Sequence, residues 1–206
     1  MALQVELLRP ELINALARFP SPSAVAFVLN RVLSILFVAG LALIYISRRR
    51  ARTGRHDLVA FGVSMYASFV LLAFRPVAVL LNVPPALNGS TLALEISDVL
   101  VILGVGLSIY SLLFLRFNFS IMPEARKMIS HGPYSIVRHP IYLGEIISGA
   151  GLVLALPGWF SLAILLTFVA AQLYRTRIEE AVLASAFPDY QAYADKTRFR
   201  LIPGVI

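Results

Sequence analysis

The chain has no cysteine among its 206 residues. That absence excludes a disulfide framework, a thiolate nucleophile and any zinc or iron–sulfur site built on cysteine. Charge is also scarce, at 14% of residues, where a soluble domain carries about a quarter. There are three histidines, and none stands in the His/Glu helical spacing of a metalloenzyme, so no metal is expected. No glycine-rich fingerprint joins a strand to a helix, which excludes a Rossmann-type nucleotide domain.

What the chain has in quantity is apolar sequence: 59% hydrophobic residues and a mean hydropathy of +0.81. Once the apolar runs are laid out there is no room for a separate soluble domain, so residues 1–206 are predicted to form a single membrane domain. The net charge of +7 does not point to nucleic acid, because the Lys and Arg cluster at the ends of apolar runs, where they set orientation.

Residues 1–23 mix charge signs and lack a short apolar core leading to a cleavage site, which predicts a surface helix and no signal peptide. Ala24–Ser47 is long enough to cross a hydrocarbon core and ends in Arg48, Arg49, Arg50, Arg52 and Arg55, a cytoplasmic signature. His56 is read as solvated. Leu58–Val83 forms a second span containing Arg75, for which Asp98 of the third span is the expected partner. Asn82–Glu95 has no Lys or Arg and is assigned outside. Ile96–Leu115 returns inward and ends at Arg116. Ile141–Leu173 is split by Pro157-Gly158 into halves of about 16 residues, each barely long enough to cross. A single long span would put Arg175, Arg177, Lys196, Arg198 and Arg200 outside, whereas a helical hairpin returns them to the cytoplasm. The expected fold is therefore all-α, with five transmembrane helices, the last two a hairpin, an external N-terminus and a cytoplasmic C-terminal helix. Residues 1–115 hold the first three spans and 116–206 the motifs.

Those motifs begin with His131-Gly132-Pro133-Tyr134-Ser135-Ile136-Val137-Arg138-His139-Pro140-Ile141-Tyr142-Leu143-Gly144. Gly132-Pro133 is turn punctuation and Pro140 suits the first turn of a helix, so the loop ends at a helix N-terminus, where free N–H groups favour an anion. The bland alternative is a turn whose Arg and His anchor a helix at the headgroups. Further on, Arg175 and Glu179 stand four apart and Arg177 and Glu180 three apart, so each pair shares a helix face. Glu145, one turn into the fourth span, faces either Arg138 or Arg175.

The loop resembles the Gly-x-Tyr…Arg-His-Pro-x-Tyr-x-Gly signature of the isoprenylcysteine carboxyl methyltransferase family and its bacterial and phospholipid-methylating relatives. The run Arg175-Thr176-Arg177-Ile178-Glu179-Glu180, then Phe187-Pro188-Asp189-Tyr190, Tyr193 and Leu201-Ile202-Pro203, resembles the family's C-terminal block. Asn118-Phe119-Ser120 is similar to the family's Asn-Phe-Ser/Asn upstream of the loop. The tail departs from the family where it reads Lys196-Thr197-Arg198-Phe199-Arg200 before Leu201-Ile202-Pro203.

The resemblance implies a membrane methyltransferase using S-adenosylmethionine and releasing S-adenosylhomocysteine. It implies a lipophilic or lipidated acceptor that enters from surrounding membrane lipids, an isoprenylcysteine-type carboxylate being favoured. Catalytic roles then fall to Arg175, Glu179, Glu180 and Asn118. Cofactor binding falls to His131, Gly132, Tyr134, Arg138, His139, Pro140, Tyr142, Leu143, Glu180 and Tyr190. A sulfonium donor wants carboxylates for its cationic parts, a helix N-terminus or Arg for its carboxylate and aromatic walls for its adenine. A carboxylate acceptor needs only an Arg to place it, and Arg175 serves; an amine acceptor needs a base, for which Glu180 or His139 is the candidate. Membrane sterol reductases carry a similar C-terminal block, so a nicotinamide-dependent reductase is the rival, and a non-catalytic binding protein is the third reading.

The arginine clusters generate a topological prediction. A reporter fused after Ile206, or inserted between Thr53 and Gly54, reads cytoplasmic, and one between Asn88 and Gly89 reads external. A C-terminus found outside would remove the hairpin and separate the two motif blocks.

Overall fold

A computed structural model describes residues 21–47, 51, 53–54, 57–81 and 91–204. The expected surface helix at the N-terminus, His56, most of the arginine-rich loop and the side chain of Arg75 lie outside the described residues. The chain forms helices α1 (Pro22–Ile46), α2 (Leu58–Leu80), α3 (Thr91–Leu115), α4 (Pro140–Ala155), α5 (Trp159–Ala186) and α6 (Tyr190–Lys196). Two short strands, β1 (Thr53–Gly54) and β2 (Glu124–Ala125), pair antiparallel with Thr53 opposite Ala125 and Gly54 opposite Glu124.

The ends are set by local chemistry. Ser21 caps α1 by accepting the Ala24 N–H at 3.3 Å, with Pro22 at the first helical position. Asp57 does the same for α2, accepting the Ala60 N–H at 2.8 Å. Pro140 opens α4, and the turn at residues 156–158 separates α4 from α5, where the two half-length apolar runs were expected to fold back.

Among the described residues, three helices are long and apolar enough to cross a membrane: Ala24–Ile46, Leu92–Asn118 and Trp159–Ala186. Leu58–Phe74 and Pro140–Ala155 are apolar but shorter. The 16 residues of α4 rise about 24 Å, less than the ~30 Å of hydrocarbon in a bilayer. The side chains nonetheless face as a bilayer requires. Leu103, Leu113 and Leu166 are about 60% exposed, whereas Ser64, Ser108, Ser111, Gln172, Arg175 and Thr176 are buried. Apolar outside and polar inside inverts the pattern of a soluble bundle, and the chain is an integral membrane protein.

Without a hydrophobic drive between helices in lipid, association rests on close packing and internal hydrogen bonds. The tightest contact joins α3 to α4. A Cβ added at Gly104 would meet the Gly144 carbonyl oxygen at 2.4 Å, and one at Gly144 would meet that of Gly104 at the same distance. Ser108 bridges the pair, its hydroxyl 3.0 Å from Gly104 O and 3.1 Å from Ile141 O. Within the bilayer region Asn30 of α1 donates to Asp98 of α3 at 3.3 Å. Tyr66 of α2 and Thr167 of α5 join hydroxyls at 2.5 Å.

The β1–β2 pair ties the loop after α1 to the segment between α3 and α4, and Ala125 is wholly buried with Ala60, Ile178 and Val182. The end of α3, the start of α4 and the end of α5 thus meet at one end of the bundle.

The α3–α4 contact leaves no volume for a methyl group. Gly144→Ala is expected to cost about 1–3 kcal/mol, read as a lower unfolding midpoint in detergent, while Gly106→Ala, where a Cβ meets nothing within 4 Å, leaves the midpoint in place.

Candidate functional site

At that end of the bundle lies a cavity of ≈780 Å³, its open mouth included. One wall comes from Leu115, Asn118 and Phe119 at the end of α3 and from Met122, Met128 and Ile129 beyond it. The facing wall comes from Tyr134, Arg138, His139 and Tyr142, with Glu179 and Leu183 of α5 and Tyr193 of α6.

The loop that carries the second wall is folded by its own sequence. Gly132 takes a φ of 63° under the ring of Phe114, where a Cβ would meet Cε1 at 2.3 Å. The chain then makes a 3-10 turn over Gly132–Ser135, closed by the Ser135 hydroxyl donating to Gly132 O at 2.7 Å. His139 holds the N-cap position of α4 without capping it through its side chain. Its ring instead stacks on Tyr142, centroids 5.6 Å apart and planes within 3°.

Beneath this wall the polar groups form a continuous stack. Tyr142 donates its hydroxyl to Glu179 Oε1. The Arg175 guanidinium lies over the Tyr142 ring, 4.6 Å from its centroid, with Nη2 3.8 Å from the same Glu179 oxygen. Arg175 also donates to Ile121 O at 3.1 Å and to Gln172 Oε1 at 3.5 Å, and Gln172 donates to Glu145. Gln172 thus links Glu145 to Arg175. At 2% exposure Arg175 supports the wall from behind and does not line the cavity. On the other side of Glu179, His139 Nδ1 stands 3.7 Å from Oε2.

Glu180 faces elsewhere. Its Oε1 is 2.9 Å from Arg138 Nε and 3.3 Å from His139 Nε2, and its Oε2 accepts from Arg200 Nε at 3.0 Å and Nη2 at 2.7 Å. The expected pair with Arg177 gives way to these contacts, and Arg177 is exposed. The tyrosines near the loop are held as neutral phenols. Burial pushes the Tyr193 hydroxyl up to about 12, against the lowering influence of Arg138, and burial with the charge of Glu179 and the Tyr193 phenol raises Tyr134. Burial and the charge of Glu180 likewise raise Tyr190. Each stays a hydroxyl at neutral pH, and Tyr193 uses its own to donate to Tyr134 O at 2.8 Å.

Of the residues expected from sequence, Asn118, Tyr134, Arg138, His139, Tyr142 and Glu179 are brought together around the cavity. Asn118 donates to Leu115 O at 3.0 Å, and its buried Oδ1 has no hydrogen-bond donor among the described residues. Arg175 and Glu180 stand behind the wall. Pro140 is buried as the first residue of α4, and Leu143 and Gly132 contribute through the backbone path rather than by lining the space. Tyr190 is buried with its ring edge against Tyr193, centroids 6.0 Å apart, and does not reach the cavity. His131 lies on the far side of the loop, exposed and edge-on to Phe114 at 5.6 Å, beside Leu113 and Arg116.

The lining also takes in residues that no motif marked: Met122, Glu124, Arg126, Lys127 and Met128. Arg126 and Lys127 carried a sequence signal only as topogenic charge. Glu124 accepts from Ser120 at 2.6 Å and from Arg126 at 2.5 Å, while Lys127 is exposed at the rim.

Residues 92–190 match the sequence model of the phospholipid methyltransferase family. The chain is also similar to the cobalt-zinc-cadmium resistance protein CzcN of Cupriavidus metallidurans, 36% identical over 75 residues that make up 34% of this chain and 33% of that protein. The match thus spans about a third of the relative's length.

Tyr142→Phe keeps the ring between His139 and Arg175 but removes the donor to a half-buried carboxylate. It is expected to cost about 1–3 kcal/mol of stability, measured by unfolding in detergent. An unchanged midpoint would mean that the hydroxyl carries none of the stack's stability.

Proposed function

We infer from the match of residues 92–190 to the phospholipid methyltransferase family that the chain moves the methyl group of S-adenosylmethionine onto a lipophilic acceptor at the cytoplasmic membrane interface. The observation that carries this reading is a half-buried carboxylate, Glu179, set in the wall of a cavity at the polar end of an apolar bundle.

The residues present fit such a cofactor. Glu179 suits its cationic parts, Arg138 suits its amino-acid carboxylate, and Tyr134, Met128 and Ile129 offer an aromatic and apolar surface for its adenine. The unpaired Asn118 Oδ1 is an acceptor awaiting an N–H or O–H. When bound, the cofactor supplies an electrophilic methyl on a sulfonium. Charge is neutralised as the methyl transfers, so rate depends on alignment and on stripping water from the nucleophile. Phe119, Met122, Ile129 and Leu183 exclude water from that space, and the adaptable methionines accept an irregular apolar chain.

The acceptor we favour is an isoprenylcysteine-type carboxylate. It needs no base, and Lys127, exposed at the rim, supplies a cation for it. Arg175 acts on either kind of acceptor only through the wall it supports. For an amine acceptor, Glu179 is the lining group able to take the proton, with His139 beside it. We also propose five crossings with the N-terminus outside. Support for this comes from the motif blocks and the loop after α1 sharing one end of the bundle, the end that also carries Arg116, Arg126, Lys127 and Arg138.

The test is equilibrium binding in detergent of S-adenosylmethionine against NADPH. The expected result is binding of the former alone; NADPH binding would favour a reductase, and binding of neither would favour a non-catalytic protein. Given binding, His139→Ala is expected to weaken it by about 1–3 kcal/mol. Glu179→Gln is expected to lower turnover on the order of a hundredfold with folding retained, and near-normal turnover would remove Glu179 from the reaction.

A further inference from the structure

Both oxygens of Glu180 are committed to groups other than the cavity. One meets Arg138 and His139, the other takes two donors from Arg200, and none of the cavity's lining is contributed by Glu180 itself. Arg200 belongs to the tail that follows α6, and its side chain is 25% exposed. The same tail is bound to the loop through the backbone: the Arg138 N–H donates to Phe199 O at 2.9 Å and the His139 N–H to Arg200 O at 3.0 Å. Arg138 Nη1 reaches Ala194 O at 3.4 Å, and Leu201 is buried with Ile141 and Tyr142.

These contacts change the meaning of the helix N-terminus. The amides of Arg138 and His139, at the entry to α4, are satisfied by the tail. What faces the cavity is the side chains of those two residues, and each of them is also held by Glu180.

We propose that Glu180 is a positioning residue which, with Arg200, clamps the tail of residues 197–201 across the back of the Arg138–His139 loop and thereby sets the two side chains that recognise the cofactor. Its consequence for binding rests on the methyltransferase reading above; the clamp itself does not. Without the Glu180 charge, Arg138 and Arg200 are left as unpaired neighbouring cations, the His139 ring loses one of its two carboxylate contacts, and the tail has only its backbone bonds to hold it.

The experiment uses the full chain in detergent, as wild type, Glu180→Gln, Arg200→Met, the double variant and Arg200→Lys. Two quantities are read: hydrogen exchange of segments 136–140 and 197–201, and affinity for S-adenosylmethionine. The clamp predicts faster exchange in both segments and an affinity loss of about tenfold to a hundredfold in each single variant. The double variant should be no weaker than the worse single, because both changes break one device. Arg200→Lys, which keeps a cation and one donor, should recover part of both. If Arg200→Met leaves exchange and affinity at the wild-type level while Glu180→Gln abolishes binding, Glu180 touches the ligand directly and the clamp is wrong. Unchanged exchange in both single variants overturns it as well. Exchange across the α3–α4 contact reports global folding; should Glu180→Gln raise it, the two Arg200 variants decide alone. A wild-type chain that binds no S-adenosylmethionine would sink the methyltransferase reading, and the exchange measurement would still judge the clamp.

Discussion

Two backbones in contact with no side chain between them, at Gly104 and Gly144, set the position of almost everything functional in this molecule. In lipid a pair of leucine-rich faces gains little by touching, because the tails they displace are as apolar as they are. Close approach recovers dispersion energy and weak polar contacts that larger residues would forbid, and Ser108 adds a hydroxyl bridge to Ile141 O at the same crossing. Since α3 ends a few turns beyond this contact and α4 starts one turn before it, the contact decides where Asn118 and Phe119 stand relative to His139 and Tyr142. The two cavity walls are extensions of one helix pair.

The second wall is held from behind by a guanidinium that never reaches the space it supports. Arg175 is buried among Tyr142, Gln172, Ile121 O and Glu179, and a charge so placed is stable only while its partners remain. Removing one partner leaves an uncompensated charge in a poor dielectric, so the stack behaves as a unit. Its effect at the surface is to present Glu179 as a carboxylate of defined direction, fixed by a phenol on one side and an imidazole on the other. Preorganisation of this kind is what methyl transfer needs, because the reaction gains most from alignment.

Neighbouring glutamates in α5 therefore serve opposite sides of the wall. Successive residues of an α-helix point about 100° apart, and here that turn sends the two carboxylates to different partners. Glu179 turns toward the space and Glu180 toward the loop and tail. The tail's return across the loop supplies backbone partners to a segment that lies outside any regular element except its short 3-10 turn.

Much of this was legible in the chain itself. The apolar runs, the break at Pro157-Gly158, the proline that opens α4 and the loop from His131 to Gly144 are local features, written in periodicity, backbone restriction and turn chemistry, and they locate the helices and one wall of the cavity. What only the tertiary structure decided is which face each polar residue takes. The phase of α5 separates Glu179 from Glu180, the crossing at Gly104 and Gly144 brings the unmarked segment with Met122, Lys127 and Met128 opposite Tyr134, and Arg200 meets Glu180 from 20 residues away. His131 shows the same limit from the other side, for it sits in the motif yet turns away toward Phe114. Residue type and spacing specify which groups are available. Their direction depends on how helices pack, and packing is a property of contacts between residues far apart in the chain.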